Sequence, residues 1–137
     1  MDWGYSGEKA PEHWAELSDE YHMCDEGKNQ SPIDIAETRE ADLPDLSFDY
    51  DTPASRLLRK ETAVEVRVPE GNRLEVEGKT FELQQYHFHS PAEHEIDGES
   101  YPLELHLVHE AQDGETAVVA VLYEEGEQHK IGRASCR

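Results

Sequence analysis

The sequence predicts an all-β meander with few helices, and two observations support that fold class. Short runs of alternating apolar and polar residues follow one another closely from residue 63 onward, as is typical of strands with one buried face. Glycine-containing turn sequences separate these runs, for example at residues 69–72 and 112–115,. No repeat, linker or second domain is visible in the sequence, so the pattern favours one mainly β domain.

The first thirty residues are expected to form an arm that packs against the sheet. Trp3, Tyr5 and Trp14 are aromatic anchors in a stretch with little periodicity. Pro11 can open a short helix, because proline is tolerated in the first helical turn. Residues 30–35 are expected to be extended.

The strands are expected to follow in close succession. Leu46, Phe48 and Tyr50 alternate with polar residues, as in a strand,. Residues 117–123 are a nearly continuous apolar run, which predicts a strand buried on both faces. Residues 90–99 are expected to be a loop. The other predicted strands are residues 64–68, 73–77, 81–89 and 103–109.

The chain is strongly acidic, with 32 acidic and 12 basic residues and a formal net charge of −20. A surface with this charge repels nucleic acid and anionic membranes, so neither is expected as a partner. No apolar run approaches the roughly 20 residues that a spanning helix needs. A heavily solvated surface accounts for the acidity, and adaptation to high salt is an alternative that composition leaves open.

The domain is expected to occupy residues 1–130. Residues 131–137 contain two of the twelve basic residues and no acidic residue, so we interpret them as an aberrant or non-native tail. Two cysteines, Cys24 and Cys136, are too few for a disulfide framework,. They can pair with each other, pair elsewhere or stay free. The first residues lack a signal region, which fits a cytoplasmic protein or one whose signal has been removed.

A pattern of histidines is the strongest functional signal in the sequence. His87 and His89 are two residues apart, so on a strand they point to the same face together with Gln85,. His106 follows His89 by 17 residues and shares a face with Glu104 on a second predicted strand. If these two strands are neighbours in one sheet, three imidazoles converge on one point.

Three neutral imidazoles with one open position are a ligand set of catalytic zinc sites. Metal-bound histidines usually donate their second N–H group to a carboxylate, amide or carbonyl, and Glu104 and Gln85 lie on the histidine face to accept it. Glu93 follows His89 by four residues, near enough to orient a hydroxyl group or a bound water.

Plainer interpretations exist for several histidines. His87 and His89 alone could be an ordinary polar stripe on a strand, and only His106 on the matching face favours a metal site. His94 and His109 are interpreted as structural, since His109 is on the opposite face from His106.

Five separated motifs resemble, in the same order, those of α-class carbonic anhydrases of the bacterial type. They extend from residue 3 to about residue 126, and chance agreement of five such motifs is negligible. The motifs are Trp3-Gly4-Tyr5, the PEHW of residues 11–14, the GKNQSPIDI of residues 27–35, the QYHFHSPAEH of residues 85–94 and the ELHLVH of residues 104–109.

The resemblance implies a large, mostly antiparallel twisted sheet. It also implies zinc-dependent, reversible hydration of carbon dioxide to bicarbonate and a proton, by attack of a zinc-bound hydroxide. Sulfonamide inhibitors and a periplasmic or secreted location are expected on the same basis, and a homodimer is expected if a missing later part leaves sheet edges and apolar faces exposed. The implied residue roles are Zn²⁺ ligation by His87, His89 and His106, outer contacts to these ligands from Gln85 and Glu104, orientation of a hydroxyl group by Glu93, a place in the cavity solvent network for Tyr5, and an apolar carbon dioxide pocket from Val108 and Val118.

The sequence departs from the family in three places. Thr62 occupies the position of the usual proton-shuttle histidine, and threonine does not titrate near neutral pH, so slower proton export, partly rescued by buffer, is expected. Family sequences continue well past Glu125, and the resemblance therefore implies a chain truncated after about residues 126–130. Cys24 stands where bacterial members pair a cysteine with one in that later part.

Two further functional hypotheses follow. One is a catalytically inactive, carbonic-anhydrase-related fragment or zinc-binding protein. The other is a cupin-like metal-binding barrel, in which Glu93 would join His87 and His89 as a ligand and iron or manganese would be favoured.

Overall fold

The computed structural model describes residues 3–53, 56–60 and 64–127 of the chain. Within these ranges the chain forms ten strands and a few single-turn helices. The helices are α1 (Trp14–Leu17) and α2 (Met23–Glu26), with 3-10 turns at Gly7–Lys9, Pro11–His13 and Asp19–Tyr21. The strands are β1 (Asp34–Ile35), β2 (Ser47–Tyr50), β3 (Arg56–Arg59), β4 (Val64–Arg67), β5 (Asn72–Val76), β6 (Lys79–His89), β7 (Glu95–Ile96), β8 (Glu99–Ser100), β9 (Leu103–Glu110) and β10 (Thr116–Tyr123).

Seven of the described strands form one antiparallel sheet, which confirms the predicted fold class. Its main order is β10-β9-β6-β4-β3, and β2 pairs with β5, which joins the start of β6. The remaining strands make a small sheet in the order β1-β7-β8. The long strand β6 is the centre of the fold, because it pairs with β5, β4 and β9.

A tight hairpin positions β5 against β6. Val76 pairs with Lys79 across a two-residue loop, Glu77-Gly78, in which both residues have positive φ (52° and 77°). Two positive φ values define a type I′ turn, whose twist matches that of paired strands, and glycine adopts this conformation at little cost. The turn thereby sets the register of the following strand.

A bulge in β6 changes which of its side chains point toward each face of the sheet. Leu83 pairs with His109 but Gln85 pairs with Val108, so Gln84 is an extra residue in β6. Such a bulge reverses the side-chain alternation of one strand relative to its neighbour. As a result, Leu83 faces the same side as His109, while Gln85 faces the opposite side.

The apolar core lies on the side of Leu83 and His109. Leu74, Phe81 and Ala111 form its fully buried cluster, and Val76, Ala117 and Val119 pack against it. His109 is completely buried; its Nδ1–H donates to the carbonyl of Ala117 (3.2 Å) and its Nε2 accepts from the Tyr50 hydroxyl (2.5 Å). Both ring nitrogens of His109 are thus satisfied, as a structural role requires.

Two expectations from the sequence are wrong. β10 is not buried on both faces: it pairs with β9 alone among the described strands, and Val118 is 52% exposed and Tyr123 39% exposed. A continuous apolar run therefore marks an edge strand here. The predicted loop at residues 90–99 contains β7 and the start of β8, because the turn at Asp97-Gly98 closes a small hairpin and β1 pairs alongside it.

The aromatic arm packs as expected. Trp3, Tyr5 and Trp14 form a cluster with ring centroids 5.1–5.8 Å apart, and the Trp14 indole N–H donates to the carbonyl of Gly4 (2.9 Å). None of the described helices is long and apolar enough to cross a membrane. Thr62, Cys136, the boundary at residue 130 and the tail at residues 131–137 lie outside the described residues.

Replacing Leu74 by alanine tests the core assignment. Leu74 is 2% exposed, so the substitution removes buried methyl groups and leaves a cavity, at a cost of about 2–5 kcal/mol in the free energy of unfolding. Urea denaturation followed by fluorescence measures it. Leu57→Ala is the matched control, since Leu57 is 63% exposed and its loss should cost well under 1 kcal/mol; equal effects would contradict the assignment.

Candidate metal centre

Pairing of β6 with β9 brings the three predicted histidines together. His87 lies opposite His106, and His89 lies opposite Glu104, on the face away from the apolar core. One nitrogen from each of the three imidazoles lies within 4.8 Å of the others. The predicted convergence of the three side chains is therefore present in the structure.

The outer nitrogens of two imidazoles are engaged by neighbouring side chains. His87 donates its Nδ1–H to the Gln85 amide oxygen (2.8 Å), which leaves the Nε2 lone pair available. His106 has its Nε2 3.0 Å from Glu104 Oε1, which leaves Nδ1 available. Gln85 and Glu104 thus lie where the sequence predicted, and their contacts orient His87 and His106 toward a common point.

Glu104 is a fully buried carboxylate that holds several elements together. Its Oε2 accepts the backbone N–H groups of Glu93 (2.7 Å) and His94 (3.0 Å), and its Oε1 contacts the His94 and His106 rings. Burial alone would raise the pKa of this carboxyl group. The hydrogen bonds from His94, Glu93 and His106 outweigh it and lower the pKa to about 2,.

The electrostatics of the histidines favour neutral imidazoles. Burial lowers the pKa of His87, and the adjacent rings of His89 and His106 lower it further. Burial also lowers the pKa of His89, partly opposed by the Glu93 carboxylate. A neutral imidazole offers a lone pair, so the site is poised to bind a metal ion.

Glu93 and Tyr5 meet at the edge of the cluster. The Tyr5 hydroxyl donates to Glu93 Oε1 (2.7 Å), while Glu93 Oε2 lies 3.3 Å from His89 Nε2 and 3.8 Å from His106 Nδ1. Burial raises the pKa of Tyr5, and the hydrogen bond to Glu93 raises it further. Tyr5 is therefore a protonated donor at neutral pH, and no pattern in the sequence predicts its contact with Glu93.

Cavities of two different chemical characters open on the described surface. One of about 720 Å³ is bordered by Tyr5, Trp14, His89 and Glu93. The other, about 1080 Å³, lies among charged residues such as Arg73, Lys79 and Glu110, away from the histidines. The smaller cavity is the better candidate for a metal site, because His89 and Glu93 line it and no histidine lines the larger cavity.

Val108 and Val118 face the same side of the sheet as the histidines. They are paired across β9 and β10, and Val108 also lies opposite Gln85. The arrangement places two branched apolar side chains on the face of the sheet that carries the histidines.

Sequence analysis missed Glu65. It lies opposite His87 on β4, on the histidine face, and is 4% exposed. Its carboxylate pairs with Lys60 and lies 2.6 Å from Arg67 Nε. The Lys60 ammonium lowers the pKa of Glu65 despite its burial. The alternating pattern of residues 64–67 predicts a strand with Glu65 and Arg67 on one face. It does not predict that this strand pairs with β6, which is what places Glu65 on the histidine face.

His94 was interpreted as structural, and its ring contacts Glu104, which also contacts His106. Together these three residues form a second group with a possible metal-ligating geometry. Cys24 is an exposed free thiol in the described part of the chain, and it borders the smaller cavity.

The residues present fit a zinc ion bound by three histidines. The donor set is three imidazole nitrogens on one face of the sheet. In His87 the second ring nitrogen contacts Gln85, and in His106 it contacts Glu104. Borderline nitrogen ligands of this kind suit Zn²⁺.

Comparison with known proteins identifies the family. The family profile described as eukaryotic-type carbonic anhydrase matches residues 9–133. The chain belongs to this family. A carbonic anhydrase from Neisseria gonorrhoeae is 42% identical over 134 residues, which are 97% of this chain and 52% of that protein. Membership of the family excludes the cupin-like barrel.

Solved structures agree with this assignment. The α-carbonic anhydrase of Thermovibrio ammonificans in complex with the inhibitor sulfanilamide superposes with a TM-score of 0.90 at 40% identity, covering 96% of this chain and 59% of that one. Dioscorin complexed with ascorbate superposes with a TM-score of 0.85 at 34% identity, covering 93% and 56%. The chain spans about half the length of the curated relatives it matches.

The low pKa of Glu104 predicts an acid-sensitive contribution to stability. Its folded-state pKa, about 2, is below the usual value of about 4.3, so its stabilisation is fully present above about pH 4.3 and is lost as the pH falls toward 2. Relative to Glu104→Gln, the wild-type chain should gain about 3 kcal/mol at pH 6 and progressively less below pH 4.

Urea denaturation at a series of pH values measures this difference. Glu99→Gln is the control, because Glu99 is exposed on β8 in the same part of the chain and should give a small, constant difference. A wild-type advantage over Glu104→Gln that stays constant from pH 6 to pH 2.5 would contradict the prediction.

Proposed function

We propose that residues 1–130 form part of one α-carbonic anhydrase domain that binds one Zn²⁺ through His87, His89 and His106. The proposed reaction is the reversible hydration of carbon dioxide to bicarbonate and a proton. The observation that carries the proposal is the convergence of three imidazoles, two with their outer nitrogens held by Gln85 and Glu104. Zinc, when bound, would supply a Lewis acid that activates water near neutral pH.

The chain's own residues would serve this reaction in distinct ways. The three histidines would bind the ion, and the Gln85 and Glu104 contacts would fix the orientation of His87 and His106,. Val108 and Val118 would provide an apolar surface for carbon dioxide beside the histidines. Their pairing on the histidine face supports that role,.

Glu93 and Tyr5 would act on hydroxyl groups, whereas Thr62 would not transfer the proton. Glu93 is a carboxylate within hydrogen-bonding distance of Tyr5 and His89, so it can hold a hydroxyl group in a fixed orientation. Thr62 would leave proton export to buffer, because threonine has no titration near neutral pH.

Sulfonamides are the proposed inhibitors. The support is the Thermovibrio ammonificans structure, which was determined with sulfanilamide and is 40% identical to this chain. A sulfonamide would need the three-histidine site with an accessible ligand position.

Zinc content and carbon dioxide hydration test the proposed function directly. The purified 137-residue chain should bind one Zn²⁺ per chain and show a hydration rate in stopped flow that sulfanilamide suppresses. His106→Ala should lose both, since two nitrogens do not complete the site. His22→Ala is the matched control: His22 is exposed and its side chain contacts only the Asp19 carbonyl among the described side-chain hydrogen bonds, so the variant should retain both.

The same measurements distinguish the proposed enzyme from the alternative, an inactive zinc-binding protein. Zinc at one per chain without an inhibitable rate at micromolar protein would favour that alternative and overturn the proposed activity. The similarity to dioscorin complexed with ascorbate shows that this fold also occurs in a protein whose name is not that of a carbonic anhydrase, so the alternative has to be tested.

A homodimer and a periplasmic or secreted location are also proposed. The unpaired edge of β10, with seven uncharged residues at 117–123, supports self-association, since exposed edges invite strand pairing. Sedimentation equilibrium should show a dimer that Val121→Lys, at a 38% exposed position of β10, converts to a monomer, and a monomeric wild-type chain would contradict it. The location rests on resemblance to the bacterial enzymes, and cell fractionation is its direct check.

A further inference from the structure

A cluster of basic side chains lies on β3 and β4, in a chain whose formal net charge is −20. Four of the twelve basic residues fall within residues 56–67, against two acidic residues in that stretch. The register of the two strands sets Arg56 opposite Arg67. Residues directly opposite each other share a face of an antiparallel pair, and side chains alternate along a strand. Arg56, Glu65 and Arg67 therefore lie on one face, and Arg59 lies on the other.

The face that carries Arg56 and Arg67 is also the histidine face. β4 pairs with β6, which sets Glu65 opposite His87. The same pairing sets Arg67 opposite Gln85. Neighbouring strands are about 4.8 Å apart, so β4 lies about 5 Å and β3 about 10 Å from the strand that bears His87. Both separations are within about one Debye length at about 0.1 M ionic strength, so charges on β3 and β4 act on a ligand at the histidine site.

The basic side chains are held in place yet remain accessible to solvent. Glu65 is 4% exposed; it pairs with Lys60, and its Oε1 lies 2.6 Å from Arg67 Nε. The Lys60 and Arg67 side chains are themselves 45% and 49% exposed. Arg56 is exposed as well. One buried carboxylate thus anchors two cations whose outer surfaces meet solvent, and a third cation lies beside them.

The cluster carries an excess of positive charge. Among its described residues, three cations accompany one carboxylate. Arg56 and Arg67 are direct cross-strand partners, and like charges in that position destabilise a sheet. A bound anion would relieve the repulsion between them. A guanidinium group also matches a small oxyanion geometrically, because it can donate two parallel hydrogen bonds to a pair of oxygens.

We propose that Arg56, Lys60 and Arg67 form a cationic strip that holds a small oxyanion, bicarbonate in the proposed reaction, beside the histidine site. Carbon dioxide is neutral and bicarbonate carries a negative charge, so the strip distinguishes the two by charge. The strongly acidic chain as a whole repels anions,, and the strip offsets that repulsion where the anion binds. The inference rests on the proposed function, because the proposed reaction supplies the bicarbonate.

The cationic strip predicts a change in ligand affinity that depends on the charge of the ligand. Removal of one exposed cation should weaken bicarbonate binding about threefold, and removal of two should weaken it about tenfold, in keeping with the modest strength of exposed charge interactions. A neutral ligand of the metal ion should keep its affinity, because it has no net charge for the strip to attract. Arg56→Lys preserves the charge and should retain the affinity for bicarbonate.

The experiment uses the full 137-residue chain loaded with Co²⁺, whose visible absorption reports ligand binding. Bicarbonate and imidazole are titrated separately at about pH 7.5, where imidazole is mostly neutral. The variants are Arg56→Met, Arg56→Lys and a double variant with Arg56→Met and Arg67→Met. Arg59→Met is the matched control, because it removes the same charge from the opposite face of β3. It should bind bicarbonate as the wild type does, and imidazole affinity should be the same in all five chains.

The outcomes separate this inference from the proposed function. Equal bicarbonate affinities in the wild type, Arg56→Met and the double variant would overturn the cationic strip and leave the histidine site intact. A parallel loss of imidazole and bicarbonate affinity would also overturn it, since that pattern indicates damage to the metal site. So would a wild-type chain that binds imidazole but no bicarbonate.

Failure of the wild-type chain to bind Co²⁺ would overturn the proposed function and, with it, the cationic strip. If the double variant does not fold, Arg56→Met alone decides the question. Arg56 is exposed, and its replacement leaves Glu65 with both Lys60 and Arg67.

Discussion

The register between β6 and β9 is the constraint on which the site depends. It sets His87 opposite His106 and His89 opposite Glu104, and the extra residue Gln84 makes that register compatible with the apolar core. Without the bulge, a sheet that buried Phe81 and Leu83 with His109 would turn Gln85 and the histidines to the core side as well. One inserted residue thus lets a single strand serve a core at one end and a polar cluster at the other.

Glu104 connects this sheet to the segment that follows β6. Its buried carboxylate accepts two backbone N–H groups at Glu93 and His94 and contacts the His106 ring. A buried charge is tolerable only with such a set of donors. Glu104 therefore orients the His106 ring and also fixes the backbone position of Glu93.

Although the chain as a whole is strongly acidic, several of its basic side chains are paired with particular carboxylates. Glu65 on the histidine face is paired with Lys60 and Arg67, and Lys79 is paired with Asp113 and Glu115 at the other end of β6. The exposed pairs add little to stability, whereas the buried Glu65 needs its partners to remain charged. Large apolar side chains are exposed on several described strands, for example Val118 on the edge strand β10.

The sequence by itself determined which side chains share a face. Period-two alternation placed His87 and His89 together, and His106 with Glu104, because successive strand residues point to opposite sides. The family motifs added the expectation that these histidines bind zinc, and the sheet-rich fold. Local patterns also located the turn at Gly78, since glycine there relieves a positive φ,.

Only the tertiary structure decided which strands became neighbours. β4 pairs with β6 rather than with β5, and this places Glu65 opposite His87; alternation cannot reveal it, because strand pairing depends on hydrogen bonds between distant segments. The apolar run at residues 117–123 predicted burial, yet burial depends on what covers a strand and not on its own composition. The approach of Glu93 Oε2 to His89 and His106 likewise arises from contacts with Tyr5 and Glu104, which are 88 and 11 residues away along the chain.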